Sequence, residues 1–303
     1  MNEPITSPTR CGFISILGRP NVGKSTLLNQ ILGKKISITS NKPQTTRHQL
    51  LGIKTKENTQ MVYIDTPGIH QQTKTKMNQH LNKVARHSLI DVNLVLFLIE
   101  SLKWTDEDEL VLSFLKKVEK PVVLVINKVD KVNEKTRLLP FIQRLAEKYK
   151  FDEVILISAI SGKNVDRLEK CIDSYLPEDH FYFPPAQISN RDLAFQASEI
   201  IREKIMRSLE REVPYSAMVQ IEKLDETEKF IEICAVIWVE REGQKAILIG
   251  KQGNQLKEIG THARQDMEAH LGQKVVLRLW VKVKKGWSDD ASSLKELGII
   301  EDR

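Results

Sequence analysis

Cysteine is scarce and scattered. The 303 residues hold three, Cys11, Cys171 and Cys234. They are too few and too far apart for a disulfide framework, and they lack the paired spacing of a zinc site. Free, reduced thiols are the expectation. Long hydrophobic runs are also missing. The best, Leu94 to Ile99, has the length of a strand and not of a membrane span. The opening MNEPITSPTR is polar and lacks the apolar core of a secretory signal. These absences exclude a membrane-spanning or secreted reading and leave a cytoplasmic one. Internal repeats and low-complexity tracts are absent too, so the chain is expected to fold as ordinary globular domains.

What is present fits that class. Hydrophobic residues make up 41% and charged residues 28%, as in soluble globular proteins. The length allows two domains, each with its own core. The formal net charge is +6, and its distribution says more than its size. From Asn190 to the end, 19 Lys/Arg face 20 Asp/Glu, so that half is not basic overall. Within it, Arg241 to Lys285 carries 10 Lys/Arg against 4 Asp/Glu. A basic patch of this kind suggests a polyanionic partner.

The first half alternates apolar runs with helical patterns. CGFISIL (Cys11 to Leu17), MVYID (Met61 to Asp65), LVLFLI (Leu94 to Ile99), VVLVIN (Val122 to Asn127) and VILIS (Val154 to Ser158) read as buried strands. Helical stretches between them imply a mostly parallel sheet covered on both faces. Ligands of such sheets lie at the carboxyl ends of the strands. The proline-rich stretch Leu176 to Asn190 reads as a linker. Beyond it a helix (Asp192 to Glu210), two strands (Ser216 to Glu222 and Phe230 to Val239), a short helix ending at Ile249, a longer helix (Asn254 to His270) and a strand (Lys274 to Val283) give the order α-β-β-α-α-β.

The motifs sit where that sheet would present a ligand. GRPNVGKS, from Gly18 through Arg19, Pro20, Asn21, Val22, Gly23 and Lys24 to Ser25, follows a strand and opens a helix. Such a loop turns its N–H groups onto the β-phosphate of a nucleotide, beside a favourable helix N-terminus. Lys24 is expected to bridge β- and γ-phosphates and Ser25 to ligate Mg²⁺. DTPG, formed by Asp65, Thr66, Pro67 and Gly68, ends a strand; Asp65 is placed to hold Mg²⁺ through water, and the Gly68 N–H to sense a γ-phosphate. NKVD begins with Asn127 and Lys128 and ends with Asp130. A carboxylate at Asp130 can accept N1–H and N2–H of guanine, a donor pair that adenine lacks. The nucleotide is therefore read as GTP or GDP. Asn127 is expected to tie this loop to the phosphate loop, and the Lys128 stem to lie on the base. Ser158 and Ala159, in the ISA turn, complete the site, with the Ala159 N–H facing guanine O6. A threonine that ligates Mg²⁺ only beside a γ-phosphate is expected in SNKPQTTRH. Thr45 and Thr46 are both available there, and Thr46 is favoured because it precedes Arg47 as in related GTPases.

On these strings, together with QTTRH, REGQKAILIGKQG and LWVKVKKGW, the chain resembles translation-factor-class bacterial GTPases, and the Era-like family in particular. The resemblance covers essentially the whole chain. It implies an α/β fold: a Ras-like P-loop GTPase domain with a mostly parallel sheet over 11–176, then a linker (177–190) and a smaller α+β type II KH domain over 191–303, after a flexible N-terminus (1–10). It also implies a monomer that hydrolyses GTP and binds small-subunit ribosomal RNA near its 3′ end during assembly of the small subunit. A weak peripheral contact with the inner membrane comes with the family, although no amphipathic anchor is visible. The match to Ras is incomplete. The residue after DTPG is Ile69, which cannot orient a water as a glutamine would, and Gln71 and Gln72 are displaced. GTPases of this kind carry an asparagine in the phosphate loop and can use K⁺. Asn21 either ligates K⁺ or only shapes the loop. Lys24, Thr46, Asp65, Gly68 and Asn21 are the residues expected to serve hydrolysis, which should be slow.

GKQG (Gly250, Lys251, Gln252, Gly253) joins two helices within the basic stretch. This is the KH arrangement, in which such a loop grips the backbone of about four nucleotides. Lys257, Arg264, Lys282, Lys284 and Lys285 are further candidates for phosphate contact. Trp238 and Trp280 lie in strands and read as core. Trp287, in a Gly-Trp turn, reads as exposed. The stretch Lys74 to Arg86 reads as a nucleotide-sensitive loop and helix, and its histidines are assigned no role. Two other readings compete with a GTP-driven switch: an RNA-binding factor with GTP as a structural ligand, and a phosphotransferase. γ-Phosphate sensing argues against the first, and the lack of an acceptor pocket against the second.

Overall fold

A computed structural model describes residues 8–40, 42, 45–69, 76–210 and 212–296. Most of the flexible N-terminus expected over 1–10, together with His70, Gln71, Gln72, the start of the Lys74–Arg86 stretch and the tail from 297, lies outside the described residues. The chain divides into two compact units. One holds Met1–Ser37, Thr46–Thr73 and Leu81–Asn190; the other holds Ile38–Thr45, Lys74–His80 and Arg191–Arg303.

The first unit is an α/β layer built on six strands. In chain order they are β1 (Arg10–Leu17), β2 (Leu50–Lys56), β3 (Thr59–Asp65), β4 (Leu94–Glu100), β5 (Val122–Asn127) and β6 (Glu153–Leu156). Their spatial order is β2-β3-β1-β4-β5-β6. All pairs are parallel except β2 with β3. β2 escapes a reading from sequence because LLGIKTK lacks both a continuous apolar run and a clean alternation. β4 and β5 are buried along nearly their whole length, as central strands covered on both faces must be. The helices of this unit are α1 (Lys24–Leu32), α3 (Asp106–Leu115), α4 (Leu138–Ala146), α5 (Val165–Ser174) and, from Leu81 onward, α2 (Lys76–His87). In the part of α2 that belongs to this unit, Leu81 and Ala85 are four residues apart and buried, one face of a helix whose other positions are mostly polar.

Residues 177–190, expected as a linker, are strapped to this unit. The Cys11 N–H donates to Pro177 O (3.2 Å) and Ile53 N–H to Ile188 O (2.7 Å). Phe181 and Phe183 pack on Cys11, Ile53 and Val62, and Tyr182 stacks on Phe13 with ring centroids 5.4 Å apart. The aromatic residues between the prolines supply apolar area that a free linker would leave in water. All three cysteines are free thiols.

The second unit contains α6 (Leu193–Ser208), β7 (Met218–Glu226), β8 (Phe230–Val239), α7 (Glu242–Ile249), α8 (Asn254–Leu271), β9 (Lys274–Val283) and α9 (Ala291–Glu296). Its sheet runs β7-β8-β9, antiparallel and then parallel. Ile231, Ile233, Ala235, Ile237 and Val239 of β8 form the centre of a core that α6 and α8 close with Ala197, Ile201, Ile205, Ile259, Ala263 and Met267. Two tryptophans reverse the sequence reading. Trp280 is 45% exposed and Trp287 is fully buried. Strand parity decides the first, because β9 turns Val281 inward and Trp280 outward. The second is drawn in by its N–H, which donates to Ser216 O at 3.2 Å. Among the described residues no helix is long and apolar enough to cross a membrane.

Replacing Trp287 by Ala should lower stability by about 3–5 kcal/mol, the usual cost of emptying a large aromatic site. Chemical denaturation of the full chain measures it.

Candidate functional site

The carboxyl ends of β1, β3, β5 and β6 carry the four loops singled out by sequence, so one edge of the sheet gathers them. The phosphate loop is backed closely. A Cβ at Gly18 would lie 2.4 Å from Leu98 O, and one at Gly68 2.9 Å from the Pro20 backbone N. Gly23 has φ +106°, and a Cβ there would lie 2.3 Å from Asn127 Nδ2. Only glycine allows these loops to approach so closely. Val22 is fully buried, and Asn21 takes a left-handed φ of 62°.

Lys24 lies under the loop. Its Nζ donates to Gly18 O (2.9 Å) and Arg19 O (3.0 Å). Burial pushes the ammonium down to about 8, against the attraction of Asp65. Ser25, Thr46 and Asp65 meet beside it. Ser25 Oγ is 3.0 Å from both Thr46 Oγ1 and Asp65 Oδ2. The Thr45 hydroxyl instead donates to Lys42 O at 2.6 Å, so Thr46 is the threonine at this cluster. Asp65 Oδ2 also accepts from Ser37 Oγ at 2.9 Å. Ser37 was missed from sequence, since a lone serine after a helix carries no signal. Asp65 Oδ1 is buried without a hydrogen-bond partner, and burial pushes its carboxyl up despite Lys24 and the three hydroxyls. Hard oxygens around an unpaired carboxylate oxygen are the donor set that a small divalent cation requires. Thr66 is elsewhere engaged, its hydroxyl donating to Ile16 O at 3.0 Å.

Asn127 joins the base loop to its neighbours. Its Nδ2 donates to Val22 O (2.8 Å), and its Oδ1 accepts from Ala159 N–H (2.9 Å). The Ala159 N–H, expected to face guanine O6, is therefore engaged with Asn127, as a buried donor must find a partner. Ser158 pairs its backbone with Lys163. Asp130 is exposed at the end of the loop. Lys128 is held by Glu100, 3.0 Å away. Arg19 turns its guanidinium to Asp108 and Glu100, with Nη1 also donating to Pro20 O at 3.4 Å. Ile69 is 1% exposed.

In the second unit, Gly250 (φ +73°), Gln252 (φ 55°) and Gly253 (φ +79°) turn the chain sharply between α7 and α8. Lys251 and Gln252 are exposed at the tip. Beside it lies a groove of about 370 Å³ lined by Gly253, Leu256, Lys257, Gly260, Thr261, Arg264, Leu277 and Leu279. Gly260 lies on its floor, where a Cβ would make a tight 3.3 Å contact with Leu279 Cδ1. Of the lysines and arginines proposed from sequence, Lys257 and Arg264 line the groove, with Arg264 also 3.1 Å from Glu268. Lys282, Lys284 and Lys285 do not line it. Lys282 shares the outer strand face with Trp280, pairs with Glu222 at 3.0 Å and lies over the Trp238 ring. Lys284 pairs with Glu296. The period of two along β9 sends Leu277 and Leu279 one way and Lys282 the other, a distinction that a count of charges cannot make.

Together these features define a P-loop guanine-nucleotide-binding protein with a KH module. A family model described as 50S ribosome-binding GTPase matches residues 13–128, and one described as KH domain matches residues 212–288. The chain is 53% identical to GTPase Era of Coxiella burnetii (strain Dugway 5J108-111) over 97% of its own length and 99% of that protein. It is 50% identical to GTPase Era of Marinobacter nauticus over 99% of each chain. A crystal structure of Era with MgGDPNP and nucleotides 1506–1542 of 16S ribosomal RNA superposes with a TM-score of 0.93 at 40% identity, covering 96% of this chain and 99% of that one. Another, of an Aquifex aeolicus Era variant bound to GDP and AlF4⁻, superposes with the same TM-score at 39% identity. The chain belongs to the Era family of GTPases.

The lowered Lys24 pKa gives a pH test. A bound phosphate favours the charged ammonium, so binding takes up a proton wherever free Lys24 is neutral. GDP affinity should hold below about pH 8 and fall above it, by at most about tenfold per pH unit. Titrations from about pH 7 to 9 measure this.

Proposed function

We propose that the first unit binds GTP and GDP at the carboxyl edge of its sheet and hydrolyses GTP slowly, and that the second unit holds small-subunit ribosomal RNA near its 3′ end during assembly of that subunit. The observation that carries the nucleotide reading is the meeting of Ser25, Thr46 and Asp65 around an unpaired, buried carboxylate oxygen. Those three residues would hold Mg²⁺, which when bound would neutralise charge on the β- and γ-phosphates. Lys24 supplies a second positive charge from below the loop. Gly68, against Pro20, brings its N–H to the phosphate end. Asp130 accepts the guanine N–H pair. Buried Ile69 offers no hydrogen bond to an attacking water, which supports slow turnover. In this reading Asn21 is the ligand of a stimulating K⁺. Rates higher in KCl than in NaCl are expected, and equal rates would reduce Asn21 to shaping the loop.

The RNA reading is supported by the groove that Lys257 and Arg264 share with the GKQG turn. Apolar Leu256, Leu277 and Leu279 suit bases, and the turn and its cations suit the backbone. The solved Era–RNA complex adds a ligand of the right class. A switch further requires that GTP and GDP stabilise different states. RNA affinity should therefore be higher with a GTP analogue than with GDP at one salt concentration; equal affinity would leave an RNA clamp and a GTPase that work independently.

Two substitutions test the site assignments. Asp130→Ala should weaken GDP binding by about tenfold or more, since each hydrogen bond to a charged group contributes about 1.5–3 kcal/mol; calorimetry reads it. Lys257→Ala should reduce the salt dependence of binding to the 3′ end of 16S RNA by about one unit of slope. Lys282→Ala, on the other face, should leave that slope unchanged.

A further inference from the structure

The nucleotide site has two grips, one on the phosphates and one on the base, and each sits on its own loop. Asn127 ties them through its side-chain amide, which donates to Val22 O. A second, ionic tie lies below it. Arg19 of the phosphate loop is 6% exposed, yet its guanidinium points away from where a nucleotide would bind. Its Nε donates to Asp108 Oδ2 at 3.1 Å and its Nη2 to Glu100 Oε2 at 3.1 Å. The same Glu100 oxygen accepts from Lys128 Nζ of the base loop at 3.0 Å. One carboxylate oxygen thus receives a cation from each grip.

The surroundings make this contact stiff. Asp108 is fully buried and braced by Thr105, whose N–H and hydroxyl donate to its Oδ2 at 3.0 and 2.9 Å. Glu100 ends β4 opposite Asn127 of β5. The next residue, Ser101, donates its N–H to Asn127 O (2.9 Å) and its hydroxyl to Lys128 O (3.0 Å). Lys128 itself takes a left-handed φ of 64°, a conformation that a side-chain-bearing residue keeps only when its neighbours impose it. Burial pushes the Glu100 carboxyl up, but Lys128 and then Arg19 outweigh it and hold it below the usual range. It therefore stays charged at neutral pH.

We propose that Glu100 is a positioning residue that sets the distance between the phosphate grip and the guanine grip by sharing one oxygen between Arg19 and Lys128. It touches neither phosphate nor base. Its effect is to couple the two grips, so that a ligand gains its full affinity only by carrying both guanine and phosphates at the right separation. Neutralising Glu100 frees Lys128 and leaves Arg19 held by Asp108 alone, so the ionic link between the two grips is lost. The proposal rests on the nucleotide-site reading above.

The test measures GDP affinity of the full chain as wild type, R19M, K128M and R19M/K128M, and the same four with E100Q added. E100Q keeps the shape of the side chain and removes its charge. It should weaken GDP by about tenfold, the scale of lost charge-assisted hydrogen bonds. The losses from R19M and K128M should be non-additive by about fivefold, because each removes one arm of a shared contact. In an E100Q background the two losses should become additive, a change that a general loosening of the fold would not produce. GDP affinity of E100Q within twofold of wild type would overturn the proposal, and so would additive losses with Glu100 in place. The Arg19 and Lys128 variants retain Glu100 and decide the matter by themselves if E100Q does not fold. Failure of the wild-type chain to bind GDP would instead overturn the site assignment.

Discussion

The Asn127 side-chain amide is the contact on which the nucleotide site depends. It is 2% exposed and uses donor and acceptor on two different loops, Val22 O of the phosphate loop and Ala159 N–H of the ISA turn. A buried amide with a missing partner costs about as much as the bond itself contributes. The three loops are therefore held together or lost together. Gly23 follows from the same constraint, because a side chain there would occupy the position of the Asn127 amide. The parallel sheet makes the contact available by ending β1, β5 and β6 on one edge.

Around that contact the unit buries charge, which is tolerable only where charges are paired or a ligand completes them. Arg19 is satisfied by Asp108 and Glu100. Lys24 hydrogen-bonds to carbonyl oxygens, and burial lowers its pKa against the attraction of Asp65. Asp65 keeps one oxygen without a partner and its pKa rises. Asp108, behind the loops, likewise keeps Oδ1 without a partner and is pushed up by burial, so what distinguishes Asp65 is the pair of hydroxyls, Ser25 and Thr46, gathered beside it.

The second unit applies a different constraint. Its groove lies where α8 passes β9 at Gly260, and its lining depends on the alternation of β9. Gly260 faces Leu279, while Lys257 and Arg264 stand about one turn to either side of it on α8 and rim the same space. The outward residues of β9, Arg278, Trp280 and Lys282, belong to another surface and spend their charge on Glu232 and Glu222. A basic stretch in the sequence therefore becomes two faces, and one of them is largely neutralised.

The loops were legible because their chemistry is local. A glycine-rich turn between strand and helix, an aspartate closing a strand, and NKVD at the end of another each need only neighbouring residues to be recognised. Their order along alternating strands and helices determined the parallel sheet, the guanine base and the α-β-β-α-α-β second half. Distant packing decided the rest. Thr45 and Thr46 are equivalent on paper until the fold places one against Ser25 and turns the other to Lys42. The prolines of 177–190 suggest a linker until Phe181, Tyr182 and Phe183 find the sheet. Trp287 enters the core and Trp280 leaves it, Lys282 faces away from the groove, and Glu100 meets two cations from loops far apart in the chain. Each of these depends on which face a side chain occupies and what lies across from it. Sequence alone determined which chemical groups the protein carries and in what order; tertiary structure decided which of them meet, because burial and pairing are properties of the space between elements.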